Sequence, residues 1–297
     1  MYHNPVLLNE SIKALSIKPD GIYADLTFGG GGHSREILRN LKNGKLIGFD
    51  QDEDAIANAI NDERFILINQ NFRYMSNFLK INNAYPIDGI FADLGVSSHQ
   101  IDVPERGFSS RFDSELDSRM NRNKEKNAKK VINTYSREKL VKIFSEYGEI
   151  QNSKKLAFAI TEKRKEQTIT TTKELINAIR PCIIREKENK YLAQVFQAIR
   201  IEVNDELQAL KDMLKQTPKA LKPGGRLVII SYHSLEDRIV KNFFKSGNFE
   251  GKIEKDFYGN PLVDFKIINK KPIVPSEEEI KNNSRAKSAK LRIAEKL

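Results

Sequence analysis

The sequence predicts an α/β fold, a doubly wound sheet of mostly parallel strands into which an all-helical domain is inserted. Three observations carry that expectation. The apolar run Ile22–Asp25 leads, through Leu26-Thr27-Phe28, into four consecutive glycines, Gly29–Gly32, and then into His33-Ser34 at the start of a helical pattern. Short apolar runs ending in a polar residue recur at Lys45–Asp50, Phe65–Asn69 and Ile87–Asp93, separated by helical stretches, which is the rhythm of successive βα units. That rhythm stops near Gln100, and from Phe108 to about Asn189 the chain is helical and highly charged, with no convincing strand. The expected divisions are 1–106 and 205–297 for the two parts of the sheet domain and 107–204 for the helical insert.

Glycines at a strand-to-helix turn let the backbone bend tightly and approach a ligand where a Cβ would collide. The dinucleotide fingerprint G-x-G-x-x-G has Ser34 at its third glycine position here, and Asp25 stands four residues before the loop. A carboxylate there repels phosphates and attracts a cation, such as the sulfonium or amino group of S-adenosylmethionine. Asp50 ends the second strand about 20 residues after the loop, where such folds place a ribose-binding acid. Asn71 and Phe72 follow the third strand, where side chains line adenine pockets. Phe72 is equally readable as a stacking partner for the base or as an aromatic closing the core. Asp93 ends the fourth strand, at the edge where open α/β sheets bind ligands, and needs a cationic ligand or a hydrogen-bond cluster to meet it.

Within the insert, helices are expected over Lys126–Thr134, over Ser136–Tyr147 with Ser136 as N-cap, and over Thr172–Arg180 before Pro181. A longer helix is expected from about Tyr191 through Leu214, because Val195, Phe196, Ile199, Val203, Leu207 and Leu210 recur at helical spacing. The Pro223-Gly224-Gly225 turn then opens an apolar strand ending at Ser231, which brings Tyr232 and His233 toward the ligand-binding edge. His233 reads as a hydrogen-bonded loop anchor rather than a base. Gly251–Phe257 and Leu262–Asn269 are expected to form an antiparallel edge pair, and the basic tail around Ser284–Arg292 reads as flexible.

A chain of 297 residues with 39% hydrophobic content is large enough to bury its own core. One cysteine, Cys182, cannot form an internal disulfide, and neither a secretory segment nor an apolar run of about 18 residues occurs. A soluble, cytoplasmic protein without membrane association is expected. The formal net charge of +10 favours a polyanionic partner, nucleic acid above all. His3, His33, His99 and His233 lack the paired spacing of zinc sites, so no metal is expected.

Longer motifs sharpen this reading. Asp25–His33, Asp93–Gln100, Arg106–Ser109, Leu116–Met120, Phe196–Asn204, Ser231–Arg238, Lys271–Glu279 and Ser284–Arg292 together resemble the RsmH (MraW) family over nearly the whole length. The resemblance implies a class I S-adenosylmethionine-dependent methyltransferase, with a Rossmann-like sheet, an antiparallel edge strand and an inserted helical substrate domain. It implies N4-methylation of a cytidine in the decoding centre of small-subunit ribosomal RNA. The partner is then that RNA or the assembled small subunit, with a homodimer left open. With structured RNA as substrate, as the resemblance implies, Arg106, Phe108, Arg111, Arg119 and Arg122 form the basic and aromatic wall expected to hold it while a nucleotide leaves its stack. By the same resemblance, Gly31, Gly32 and His33 fall on the cofactor loop, Asp50 on the ribose acid, and Phe72, Asp93 and Gln100 on the remaining cofactor positions. Asp93 is also the candidate catalytic residue.

Two departures bear on the substrate side. The family's Asp-Met-Arg-Met-Asp motif reads Asp117-Ser-Arg-Met-Asn121 here, and Lys190–Val195 replaces a His-Pro-Ala-Thr-Arg-Thr type sequence. The strand end Asp93-Leu-Gly-Val96 also lacks the two prolines and the aromatic common among amino-methyltransferases. The main rival is a non-catalytic RNA-binding or ribosome-assembly factor on a methyltransferase scaffold, which predicts damaged cofactor positions. A small-molecule methyltransferase would have no use for a basic insert. A nicotinamide oxidoreductase is disfavoured by Asp25 and Ser34.

Overall fold

A computed structural model describes residues 5–297; His3 lies outside the described residues. The chain divides into two compact units, one made of residues through Gly95 together with Leu207–Leu297, the other of Val96–Glu206.

The first unit is built on a seven-stranded sheet. Its strands are β1 (Ile22–Asp25), β2 (Lys45–Phe49), β3 (Phe65–Ile68), β4 (Ile87–Asp93), β5 (Leu221–Ser231), β6 (Phe265–Ile267) and β7 (Lys290–Lys296), in the order β3-β2-β1-β4-β5-β7-β6. The first five are mutually parallel, whereas β7 runs antiparallel to β5 and β6 antiparallel to β7. This is the sheet of class I methyltransferases, as expected. Helices cover both faces, so neighbouring residues of one strand are buried in opposite directions. Ala24, Ile47, Ile90 and Ile229 pack with Met75, Leu79, Leu210 and Val240, while Tyr23, Leu46, Phe91 and Ile230 pack with Leu7, Leu15 and Ile37. Burial on both faces is why these strands read as unbroken apolar runs rather than alternating ones. The strand order reverses between β1 and β4, which puts Asp25 and Asp93 at the carboxyl ends flanking the switch point.

The expected edge pair is corrected. The partner of β6 is β7, drawn from the supposed flexible tail, and Gly251–Phe257 forms no strand beyond an isolated bridge from Lys255 to Pro261. In β7, Leu291, Ile293 and Ala294 are buried and interleaved with Lys290, Arg292 and Lys296. Arg292 is itself buried, its guanidinium donating to both oxygens of Asp237 at 2.6 and 3.1 Å.

The second unit is helical, with a core of Leu140, Phe144, Leu156, Ile160, Leu175 and Val195 among others. The expected helices appear at Ala128–Thr134, Arg137–Glu146 and Thr172–Ile179, with Ser136 accepting from the Lys139 amide and Thr171 in a capping box with Glu174. The single helix expected through Leu214 is two. Glu188–Asn204 ends where Asp205 turns left-handed at φ 55°, and a new helix begins at Glu206. Asn204 is taken up there: its side chain accepts from the Met120 amide and donates to the Ser118 carbonyl. Residues 96–106, expected with the sheet, belong to this unit, and Arg106 explains why. Its guanidinium is buried and donates to the Arg119 and Met120 carbonyls, while its own carbonyl accepts from Ser118.

Candidate active site

The glycine turn is shaped by two carboxylates. Gly29 and Gly31 hold positive φ of 51° and 74°, and Gly31 stands at the N-cap of the helix Gly32–Asn40. A Cβ on Gly31 would sit 2.9 Å from the Phe28 ring, and one on Gly32 would collide with Pro5. At Gly29 the nearest atom would be 4.0 Å away, so this glycine is required for its left-handed backbone and leaves open space beside the turn. Asp50 accepts from the Gly29 amide at 2.7 Å and from the Asp52 amide at 2.9 Å, tying the end of β2 to the turn.

Asp25 does not face a ligand, which corrects its expected role. It is 1% exposed, accepting from the Ser34 hydroxyl at 2.6 Å and the Thr27 amide at 3.1 Å. It locks the helix start and the strand end to one another from beneath. Thr27 in turn accepts from the Asp93 amide at 2.6 Å. Asp93 itself accepts from the Tyr232 hydroxyl at 2.8 Å, which joins the carboxyl ends of β4 and β5. Among the described residues no protein donor reaches the other oxygen of Asp93, and neither Asp50 nor Asp93 has an ion pair.

Both carboxylates are partly exposed by area, yet protein surrounds them closely enough that lost hydration governs their ionisation. Burial pushes Asp93 up to about 7, against the Tyr232 hydrogen bond, with Asp25 and Glu236 adding repulsion. Burial likewise raises Asp50 and Asp25 to about 6 each. The Tyr232 hydroxyl is pushed well above its usual range, by burial first and then by Asp93, so it is a donor at neutral pH.

His33, expected on the cofactor loop, turns its ring inward. Nε2 lies 3.0 Å from the Val6 carbonyl, the ring packs 4.4 Å from Phe91, and burial lowers its pKa to about 4. Only its main chain faces the turn. Phe72 begins a short 3-10 turn after β3 and is half-buried against the core, with Asn71 buried and donating to Gln51. Gln100 lies in the second unit, in a capping box with Ser97 that consumes its side-chain oxygen. Tyr232 is thus brought to Asp93, and His233 caps the helix Ser234–Ser246, accepting from the Glu236 amide.

The expected RNA wall separates into two kinds of residue. Arg106 is inside, so its place in the wall is corrected. Arg119 is clamped by Asp117 and by the Arg122 and Lys124 carbonyls, at distances between 2.6 and 2.9 Å. Arg111 and Arg122 are exposed, and Phe108 is half-buried with the Arg106 guanidinium 5.8 Å from its ring. The departures at 118 and 121 stay local: Ser118 donates to the Gly107 carbonyl at 2.8 Å, and Asn121 accepts from the Asn123 amide. Among the described residues no helix is long and apolar enough to cross a membrane.

Known proteins place the chain in a family. It is 59% identical over 297 residues to the ribosomal RNA small subunit methyltransferase H of Flavobacterium johnsoniae, covering 100% of this chain and 98% of that one. It is 57% identical over 296 residues to the protein of the same name from Bacteroides thetaiotaomicron, covering 99% and 97%. Among solved structures, a Streptococcus mutans protein in complex with SAH is similar at 15% identity and a TM-score of 0.46, over 98% of this chain and 97% of that one. A Streptococcus thermophilus rRNA methylase is similar at 11% identity and a TM-score of 0.42, over 98% and 93%. The profile of the MraW methylase family matches residues 1–297, and the chain belongs to that family.

Proposed function

We propose that this chain uses S-adenosylmethionine to methylate N4 of a cytidine in the decoding centre of small-subunit ribosomal RNA, in the cytoplasm, on the RNA or the assembled subunit. The observation that carries the proposal is the pair Asp50 and Asp93, partly exposed carboxylates without a cationic partner beside an open glycine turn. That arrangement fits a donor that brings ribose hydroxyls and a positive charge. The rival assembly factor would have no reason to keep it.

When bound, S-adenosylmethionine supplies an electrophilic methyl group on a positively charged sulfur. Asp50, fixed by the Gly29 and Asp52 amides, accepts from ribose hydroxyls. Gly31, Gly32 and His33 contribute main-chain groups of the helix start, and Phe72 a ring for the adenine; Gln100 is assigned to the cofactor by the family resemblance alone. Asp93 balances positive charge and accepts an N–H of the cytosine amine. An acceptor there favours pyramidal nitrogen, whose lone pair is otherwise delocalised into the ring. With the Tyr232 hydroxyl on Oδ1, Oδ2 is left for that amine, and a carboxyl near 7 suits the proton the amine sheds. Holding the acceptor in line is the rest of the task. It falls to the helical unit as the substrate domain, with Phe108, Arg111 and Arg122 on its surface.

The test is transfer of labelled methyl from S-adenosylmethionine to small ribosomal subunits from cells lacking this protein, read by nucleoside mass spectrometry. N4-methylcytidine made by the wild type and lost in Asp93→Ala is the expected result. No transfer by a chain that still binds the cofactor supports the assembly factor, and label in another nucleoside overturns the substrate.

A further inference from the structure

Between the helix Ser234–Ser246 and β6, residues 248–264 form an ordered projection whose tip has no place in the site described above. Its base is anchored. Phe249 stacks on Phe243 at 5.6 Å, Phe265 packs between Phe243 and Phe244, and Asn242 donates to the Phe249 carbonyl. Its tip is a closed turn. The Asp256 amide donates to the Asn260 carbonyl and the Leu262 amide to that of Glu254, while the Asp256 carboxylate accepts from the Tyr258 and Asn260 amides and the Asn260 side chain. On this turn Phe257 and Tyr258 stand 97% and 85% exposed, with ring centroids 5.5 Å apart and planes nearly perpendicular.

Two large aromatics held outside on a turn that fixes its own backbone are arranged for contact rather than for folding. The charge around them selects the partner. Lys252, Lys255, Lys266, Lys270 and Lys271 are exposed and have no ion pair among the described residues; exposed Glu250 and Glu254 oppose them, while Asp256 is occupied within the turn and Asp264 pairs with Lys296 at 3.3 Å, so cations remain in excess. A second copy of the chain would bring the same lysines together.

We propose that this aromatic turn is a stacking platform for unpaired bases of the RNA substrate, with the flanking lysines on its phosphates. The inference rests on the proposed RNA substrate. The strand register puts the turn remote from the chemistry: Ser231 at the ligand edge pairs with Lys290, whereas Phe265, which follows the turn, pairs with Lys296 at the opposite end of β7. The platform therefore acts on binding of the large substrate and leaves cofactor binding alone. Stacking on aromatic side chains is sequence-tolerant, because every base has a π face.

The chain contains no tryptophan, so Phe257→Trp installs a single reporter at the tip. The expected result is quenching of that tryptophan by a single-stranded pyrimidine-rich RNA oligonucleotide but not by an RNA duplex. The double variant Phe257→Ala/Tyr258→Ala should bind the same oligonucleotide roughly tenfold more weakly, with unchanged S-adenosylmethionine affinity. Absence of quenching together with unchanged affinity overturns the proposal. A double variant that turns a dimer into a monomer at unchanged RNA affinity overturns it in favour of an interface between copies. Both readouts use binding rather than methyl transfer, so failure of the methylation reading is seen separately.

Discussion

The Tyr232 hydroxyl donates to Asp93 Oδ1 at 2.8 Å, so the residue after β5 holds the carboxylate at the end of β4. This bond stabilises ionised Asp93 against a burial that pushes it up to about 7. Tyr232→Phe keeps the ring and removes the donor, so the Asp93 pKa rises further. The rate–pH profile of methyl transfer should then move its acidic limb upward, with a loss of roughly fivefold at neutral pH for the first unit moved. A uniformly lower rate with an unmoved limb would mean that Tyr232 only packs.

The same carboxylates make the ligand-free chain sensitive to pH in an unusual direction. Asp25 and Asp50 near 6, and Asp93 near 7, bind protons more tightly in the folded chain than at their ordinary value of 3.8. Stability from these groups therefore rises as pH falls through 7 and is least where all three are ionised. His33 opposes this only lower down, since its folded value near 4 lies under the ordinary 6.5 and stability is lost between the two. The melting temperature of the ligand-free chain should accordingly rise modestly from about pH 8 to about pH 7, above most of the His33 effect. Asp93→Asn should flatten that slope and raise the melting temperature at the alkaline end by about 2–4 °C, at the expense of transfer. Differential scanning fluorimetry across that window decides it.

Asp50 has a separate signature, because its oxygens already hold the Gly29 and Asp52 amides. Asp50→Ala loses the ribose acceptor and the tether of the glycine turn together, and should weaken S-adenosylmethionine binding by roughly 100-fold in calorimetry, about two hydrogen bonds to a charged group. Wild-type affinity should also fall as pH drops through 6, since the protonated carboxyl becomes a donor where an acceptor is needed. An affinity flat across that range would remove Asp50 from the cofactor.

What the sequence disclosed follows from what periodicity can carry. The strands β1 to β5 are buried on both faces and read as apolar runs, and the carboxylates Asp50 and Asp93 stand where those runs stop. Strand β7 carries the alternation of a strand, Lys290-Leu291-Arg292-Ile293, but its short length and basic residues read as a solvated tail, and only the pairing of Arg292 with Asp237 and of β7 with β5 and β6 makes it internal. Asp25 and His33 stood in the right place in sequence, but strand and helix turn both side chains inward, which spacing along a chain does not encode. Tyr232 lay in view beside Ser231, yet its partner is 139 residues away.

Arg106 and Arg122 make the same distinction testable on the RNA side. Both are arginines in a basic stretch, but the first is 1% exposed and bonded to two carbonyls, whereas the second is exposed. Arg106→Ala leaves those carbonyls without their donor and a void where the stem packed. It should destabilise the helical unit by about 2–4 kcal/mol in urea unfolding, before any RNA is present. The double variant Arg111→Ala/Arg122→Ala should unfold within about 0.5 kcal/mol of wild type. Its RNA affinity should instead fall and depend less steeply on salt, the slope of log K against log salt shrinking by about 1 for each phosphate contact removed. Equal stability loss in both variants would show the exposed pair to be structural, and an unchanged salt slope would take RNA away from this face.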